Sequence, residues 1–155
     1  MPSLIEPVNG AVSGKAERHI AQIAYLVAIA SVLQISESLI PHPVPGVRLG
    51  LANMITLVAL VNLGFSAALE ISLLRTVISS FIMGTFLTPT FMLSFGSAVT
   101  STMVMWIFYR VSVRWPEYGF SLIGVSIIGA IGHNLAQLAL AYYLLVKHPG
   151  IFYFL

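Results

Sequence analysis

Residues 49–87 read LGLANMITLVALVNLGFSAALEISLLRTVISSFIMGTFL, and the charged side chains in that run are Glu70 and Arg75. A surface helix of a soluble protein carries a charged or polar face opposite its apolar one. This stretch has no such face, so lipid is its solvent. It is also too long for one crossing of a hydrocarbon core about 30 Å thick, which takes roughly 20 residues. Asn62-Leu63-Gly64 is the best turn signal inside it. A break there predicts span two from Leu49 to the turn and span three from Phe65 to Leu87, with Thr88-Pro89 closing it. The competing division makes 49–69 one span and starts the next at Glu70. The first is preferred, because it ends span three cleanly at the proline.

Working outward, span one is expected at about Ile20–Ile40. Residues 1–19 are polar and mixed, with Lys15, Glu17 and Arg18, and read as a short cytoplasmic tail. The apolar stretch after Arg18 runs about 20 residues, which suits a span better than a signal-peptide core of about 7–15. Pro41-His42-Pro43-Val44-Pro45-Gly46 cannot continue a helix. Downstream, span four is expected at about Thr90–Arg110, a polar loop at Val111–Gly119, and span five at about Phe120–Val146. After Lys147-His148-Pro149-Gly150 comes an apolar stub, Ile151–Leu155. The expected fold is an all-α, polytopic transmembrane helix bundle of five full spans plus a partial sixth. It forms a single domain, 20–155, behind the tail.

Composition agrees. Of 155 residues, 58% are hydrophobic and 8% charged, against about 25% charged in an ordinary soluble domain. Mean hydropathy is +0.96. A net charge of +2 without clustered basic residues gives no nucleic-acid interface. There is no Cys, which rules out disulfides and thiolate chemistry. The four His are dispersed, no metal-ligand spacing occurs, and no glycine-rich phosphate loop occurs. No metal and no cofactor are expected. Lys15, Arg18, Arg110 and Arg114 on one side, against Arg48 and Lys147 on the other, predict a cytoplasmic N-terminus.

Polar residues inside spans are costly, so those that are kept point to function. Gln34, Glu37 and Ser38 share one face near the end of span one. Glu37 can pair with Arg48 across the Pro-rich loop or with Arg75. Asn53 in span two must find a hydrogen-bond partner. Glu70 and Arg75 are five apart and project in different directions. Arg75 should face the bundle interior, toward Glu37 or a bound anion, and is the strongest single candidate. His133, Asn134 and Gln137 cluster at mid-depth in span five, beside Gly129 and Gly132, and suggest a ligand cavity. Small residues recur at helix-packing spacing: Ala24 and Ala28; Ser94, Ala98 and Thr102; Ser97 and Ser101; Ser126 and Ala130. Packing within the bundle is the leading reading of these rows, and docking of another membrane subunit the other.

Three ordered groups of residues carry a family resemblance. The first is Glu37…Pro41…Pro45-Gly46-Val47-Arg48-Leu49-Gly50-Leu51-Ala52-Asn53. The second is Leu74-Arg75-Thr76…Gly84-Thr85-Phe86, then Phe91-Met92-Leu93-Ser94-Phe95-Gly96. The third is Ser121…Gly124-Val125-Ser126…Gly129-Ala130…His133-Asn134-Leu135-Ala136-Gln137. Together they resemble the bacterial membrane family labelled heptaprenyl diphosphate synthase component I, or Gx transporter family. That family is similar to the six-helix substrate-binding (S) subunits of energy-coupling factor transporters. The resemblance implies a vitamin-like solute held near the outer face and a Pro-rich lid. It also implies docking, through an Ala-x-x-x-Ala surface such as Ala24 and Ala28, on a transmembrane coupling subunit with its ATPases.

The first functional expectation is therefore a membrane subunit that binds a small, anionic solute. Glu37, Arg48, Asn53, Arg75, His133, Asn134 and Gln137 would form the cavity. The alternative is a membrane subunit of a polyprenyl diphosphate synthase that assists a soluble synthase partner. Prenyl synthases hold diphosphates through Mg²⁺ on Asp-rich motifs, and this chain has no Asp, so it would be the non-catalytic subunit. A scaffold without ligand is the third. The expected setting is the bacterial cytoplasmic membrane.

Overall fold

The computed structural model describes residues 8–39, 50–115, 117 and 119–146. Among them the chain forms five α-helices: α1 Val8–Leu39, α2 Leu51–Leu63, α3 Phe65–Ile82, α4 Pro89–Arg114 and α5 Leu122–Ala141. The last widens into a π-helical turn at Tyr142–Val146. The fold is all-α, as the apolar runs predict. The division between spans two and three falls at Gly64, whose φ of +91° breaks the helix. Elsewhere, Thr88 caps α4 by accepting from the Phe91 N–H, with Pro89 in the first turn. Ser121 caps α5 by accepting from the Gly124 N–H at 3.1 Å. Helix α1 begins at Val8, so residues 8–19, expected as a tail, are helical from there.

The expected span count needs correction. Among the described residues, four segments are long and apolar enough to cross a membrane: Ala16–Leu39, Phe65–Ile82, Pro89–Arg114 and Leu122–Leu144. They make this a multi-pass membrane protein. Helix α2 has 13 residues, and at 1.5 Å per residue rises only about 20 Å. A hydrocarbon core of about 30 Å exceeds that. The expected second span shortens because Gly50 is left-handed (φ +82°) and the helix starts only after it. The partial sixth span, Ile151–Leu155, and the Pro-rich loop, Pro41–Gly46, lie outside the described residues.

Helices α2 and α3 form an antiparallel hairpin around Gly64. Asn53 and Arg75, equidistant from Gly64 in sequence, are in contact. The first turn of α2 is thus level with about Val77, while α3 continues to Ile82. The start of α2 is therefore sunk roughly 7 Å below the upper end of the bundle, the end where α3 stops and α4 begins. Helix α3 packs on α1, α2 and α4, and α5 packs chiefly on α4. The start of α2 reaches α5 at Ala130: a Cβ built on Gly50 would lie 2.9 Å from the Ala130 Cβ.

The interior is more polar than apolar. Among the described residues, seventeen buried ones are polar or charged and thirteen apolar, the reverse of a soluble core. Large apolar side chains point outward instead, as at Phe81, Ile82, Ile123, Ile131 and Leu135. Hydroxyls supply the links between helices. Ser72 donates to the Ala98 carbonyl at 3.5 Å, Ser79 to Ser31 at 3.4 Å and Ser101 to Gly129 at 2.8 Å. The rows Ser94/Ala98/Thr102 and Ser97/Ser101 are buried inside the bundle, where small side chains allow close approach. Gly129 serves the same end: its missing side chain makes room for Met105, whose Cγ would lie 2.4 Å from a Cβ there.

Gly50 combines a left-handed backbone with the Ala130 contact, so Gly50→Ala should destabilise the protein by about 1–2 kcal/mol from backbone strain alone. The thermal unfolding midpoint in detergent should fall. Gly14→Ala, in open space on α1, should leave the midpoint unchanged or slightly raised.

Candidate functional site

Arg75 is buried on α3, 3% exposed. Its Nη1 donates to Gln34 Oε1 on α1 at 3.1 Å, and its Nη2 to Asn53 Oδ1 on α2 at 3.0 Å. The Ser72 hydroxyl lies 3.5 Å from Nη2. One guanidinium therefore ties three helices through two side-chain amides. Its fixed planar fork is what allows two partners at once. Glu70, five residues away, is exposed near the other end of α3.

Glu37 is 2% exposed, and its Oε1 accepts the backbone N–H of Leu51, the first residue of α2. A carboxylate suits that position. The first N–H groups of a helix lack internal partners, and the helix dipole favours a negative charge there. Glu37 satisfies one of those groups, the Leu51 N–H. Of the partners considered for Glu37, Arg48 lies outside the described residues. The structure adds the Leu51 N–H as a partner.

Above the cluster is a pocket of about 150 Å³, lined by Gln34, Ser38, Thr76, Ser79, Ser80, Met83, Thr85, Thr90, Phe91 and Ser94. Eight of these ten carry a hydroxyl or amide, and none is charged. Phe91 belongs to a run of aromatic contacts, Phe81–Phe86–Phe91–Phe95, with ring centroids 4.0, 5.0 and 5.6 Å apart. Gln34 belongs to both the pocket and the Arg75 cluster.

On α5, His133 and Gln137 are buried and Asn134 is half-buried. They follow Gly129, which receives Met105, and Gly132, which lies beside Val104, so the glycine notch beside them is filled by α4. Gln137 Oε1 accepts no hydrogen bond among the described residues. The structure thus joins Asn53 to Arg75, with Gln34 as the second partner of Arg75, and sets Glu37 at the start of the helix that carries Asn53. His133 and Gln137 lie on the buried face of α5 that packs on α4, just under one turn and about two turns above the Ala130 contact with Gly50. Ala24 and Ala28 are exposed on α1. They line an apolar groove of about 470 Å³ that also includes Leu74 and Ile78, with Glu70.

Of the pocket's hydroxyls the sequence singles out Ser38, and Ser94 as a packing residue; Thr76, Ser79, Ser80, Thr85 and Thr90 receive no role from it. A signal existed: Ser72, Thr76, Ser79 and Ser80 fall at helical spacing on one face of α3.

In comparison with known proteins, the family described as heptaprenyl diphosphate synthase component I matches over residues 26–155. No curated protein and no solved structure matches the chain.

Removing the fork leaves two buried amide oxygens unsatisfied, each costing about 1–3 kcal/mol. Arg75→Met and Asn53→Leu should each lower stability on that scale. The double variant should cost clearly less than the sum, because both remove one bond. Unfolding free energies of the four proteins in mixed micelles check this, and simple additivity would contradict it.

Proposed function

This chain belongs to the heptaprenyl diphosphate synthase component I family, and we propose that it is a non-catalytic membrane subunit that binds a small solute in its polar interior. The observation that carries this reading is the pocket of eight hydroxyl- or amide-bearing residues inside an apolar bundle. A pocket of hydrogen-bonding side chains beside a buried arginine is suited to an occupant that itself carries polar groups.

In this proposal Arg75 and Arg48 provide the positive charge for an anionic group on the solute. Glu37 and Asn53 fix the start of α2, and His133, Asn134 and Gln137 form the α5 wall. The basic residues at the helix ends favour a cytoplasmic N-terminus, in a bacterial cytoplasmic membrane. The exposed Ala24 and Ala28 groove is the proposed seat of a transmembrane coupling subunit served by ATPases.

The family description favours a second reading, in which the chain is the membrane subunit of a polyprenyl diphosphate synthase and recruits a soluble catalytic partner. The absence of Asp from the chain fits a non-catalytic role there.

Thermal unfolding in detergent, with a panel of water-soluble anionic metabolites and with polyprenyl diphosphates, separates the two. A true solute at 100 times its Kd should stabilise by about 2.7 kcal/mol. Thr90→Leu, at an exposed pocket position, should abolish that gain while keeping the ligand-free midpoint. Co-purification of a soluble prenyl synthase, with no response to any small solute, would favour the second reading and sink the first. Loss of coupling-subunit pull-down in Ala28→Leu tests the docking groove.

A further inference from the structure

The pocket at the upper end of the bundle has an unequal supply of protons. Four of its hydroxyls already donate to backbone carbonyls: Ser38 to Gln34 at 2.9 Å, Thr76 to Ser72 at 2.9 Å, Ser79 to Ser31 at 3.4 Å and Ser80 to Val77 at 2.7 Å. Each hydroxyl has one proton and two lone pairs. With the proton spent, what Ser38, Thr76, Ser79 and Ser80 offer the pocket is lone pairs.

Gln34 is the opposite case. Arg75 Nη1 donates to its Oε1 at 3.1 Å. A guanidinium has donors only, so the amide oxygen must face it. The reverse orientation would set N–H against N–H. The amide NH2 is thereby turned away from Arg75. No group among the described residues accepts a hydrogen bond from it. Gln34 is 6% exposed and lines the pocket. Polarisation by the guanidinium strengthens it as a donor.

Resting on the solute-binding reading above, we infer that this pocket recognises an uncharged carbonyl flanked by N–H or O–H donors, an amide- or urea-like end of the solute. Gln34 NH2 donates to the carbonyl oxygen. The hydroxyl oxygens of Ser38, Thr76, Ser79 and Ser80 accept from the flanking donors. An anionic group brings acceptors alone and would meet lone pairs at Ser38, Thr76, Ser79 and Ser80, so the charged part of the solute lies away from these four. At about 150 Å³, the space matches a cavity of about 150 Å³ that takes a benzene-sized ring, enough for a small ring bearing such a group. Arg75 acts through Gln34 and is a positioning residue for this contact.

The test uses the full chain in detergent with four probes: 2-imidazolidinone (a carbonyl with two N–H groups), cyclopentanone (the carbonyl without them), acetate and inorganic phosphate. Binding is read by thermal stabilisation and by the ¹⁵N-labelled side-chain NH2 signals of Gln34, assigned by their loss in Gln34→Glu. That variant keeps an acceptor for Arg75 and replaces the pocket donor with an acceptor, so it should fold. The expected result is stabilisation by 2-imidazolidinone with a shift of the Gln34 NH2 signals. Affinity should fall about tenfold or more in Gln34→Glu, and cyclopentanone should bind more weakly than 2-imidazolidinone. Ser80→Ala, which removes one acceptor and leaves the Arg75 fork intact, should weaken 2-imidazolidinone severalfold. Arg75→Lys should disperse or move the Gln34 signals before any probe is added. Acetate or phosphate binding that Gln34→Glu abolishes would overturn the inference, as would 2-imidazolidinone binding that Gln34→Glu leaves unchanged. If a larger solute stabilises the protein and none of the four probes does, the inference fails alone. If no solute stabilises it, the solute-binding reading fails with it.

Discussion

The buried Arg75 guanidinium sets the geometry of half the bundle. Moving a cation out of water is expensive, and in a chain this apolar the cost is met only by fixed hydrogen-bonding partners. Two of those partners, Gln34 and Asn53, come from two other helices. The register of α1, α2 and α3 is thereby linked to one side chain on α3. A small slide of either neighbouring helix would open a bond of about 3 Å beyond hydrogen-bonding reach. This rigidity also gives Gln34 a defined orientation, which a glutamine on an isolated helix would not have.

A second constraint follows from how short α2 is. Its first turn lies below the upper end of α3, and its first N–H groups need partners at that depth. Glu37 provides one at Leu51. Gly50 provides the backbone turn and the close approach to Ala130. The first turn of α2 consequently stands between the Arg75 cluster on one side and α5 on the other. The polar residues of α1, α2 and α3 meet at the level where α2 begins, and the hydroxyl-lined pocket opens just above. Fold and candidate site are two consequences of the same placement.

The remaining packing is achieved with small side chains. Ser72 against Ala98, Ser101 against Gly129 and Met105 over Gly129 bring backbones close. Lipid gives no hydrophobic reward for helix association, so close van der Waals contact and interhelical hydroxyl bonds supply it. The hydroxyls do double duty in this arrangement. Those on α3 hold helices together or bond their own backbone, and the same commitments leave their lone pairs facing the pocket.

Sequence alone determined the all-α membrane class, the break at Gly64, and most helix ends, because apolar run length and turn chemistry are local properties. It also marked Glu37, Asn53 and Arg75 as residues that must be satisfied inside the bundle, since a polar group in lipid is costly whatever its neighbours. What it could not decide was who satisfies whom. The Leu51 N–H as partner of Glu37, the Gln34–Arg75–Asn53 chain and the Ser79 bond to Ser31 all join residues far apart in sequence. The length of α2 belongs to the same class. Residues 49–62 have the composition of a span, but the left-handed Gly50 and its contact with Ala130 start the helix late and deep. Those outcomes depend on how helices pack, and only the tertiary structure fixes that.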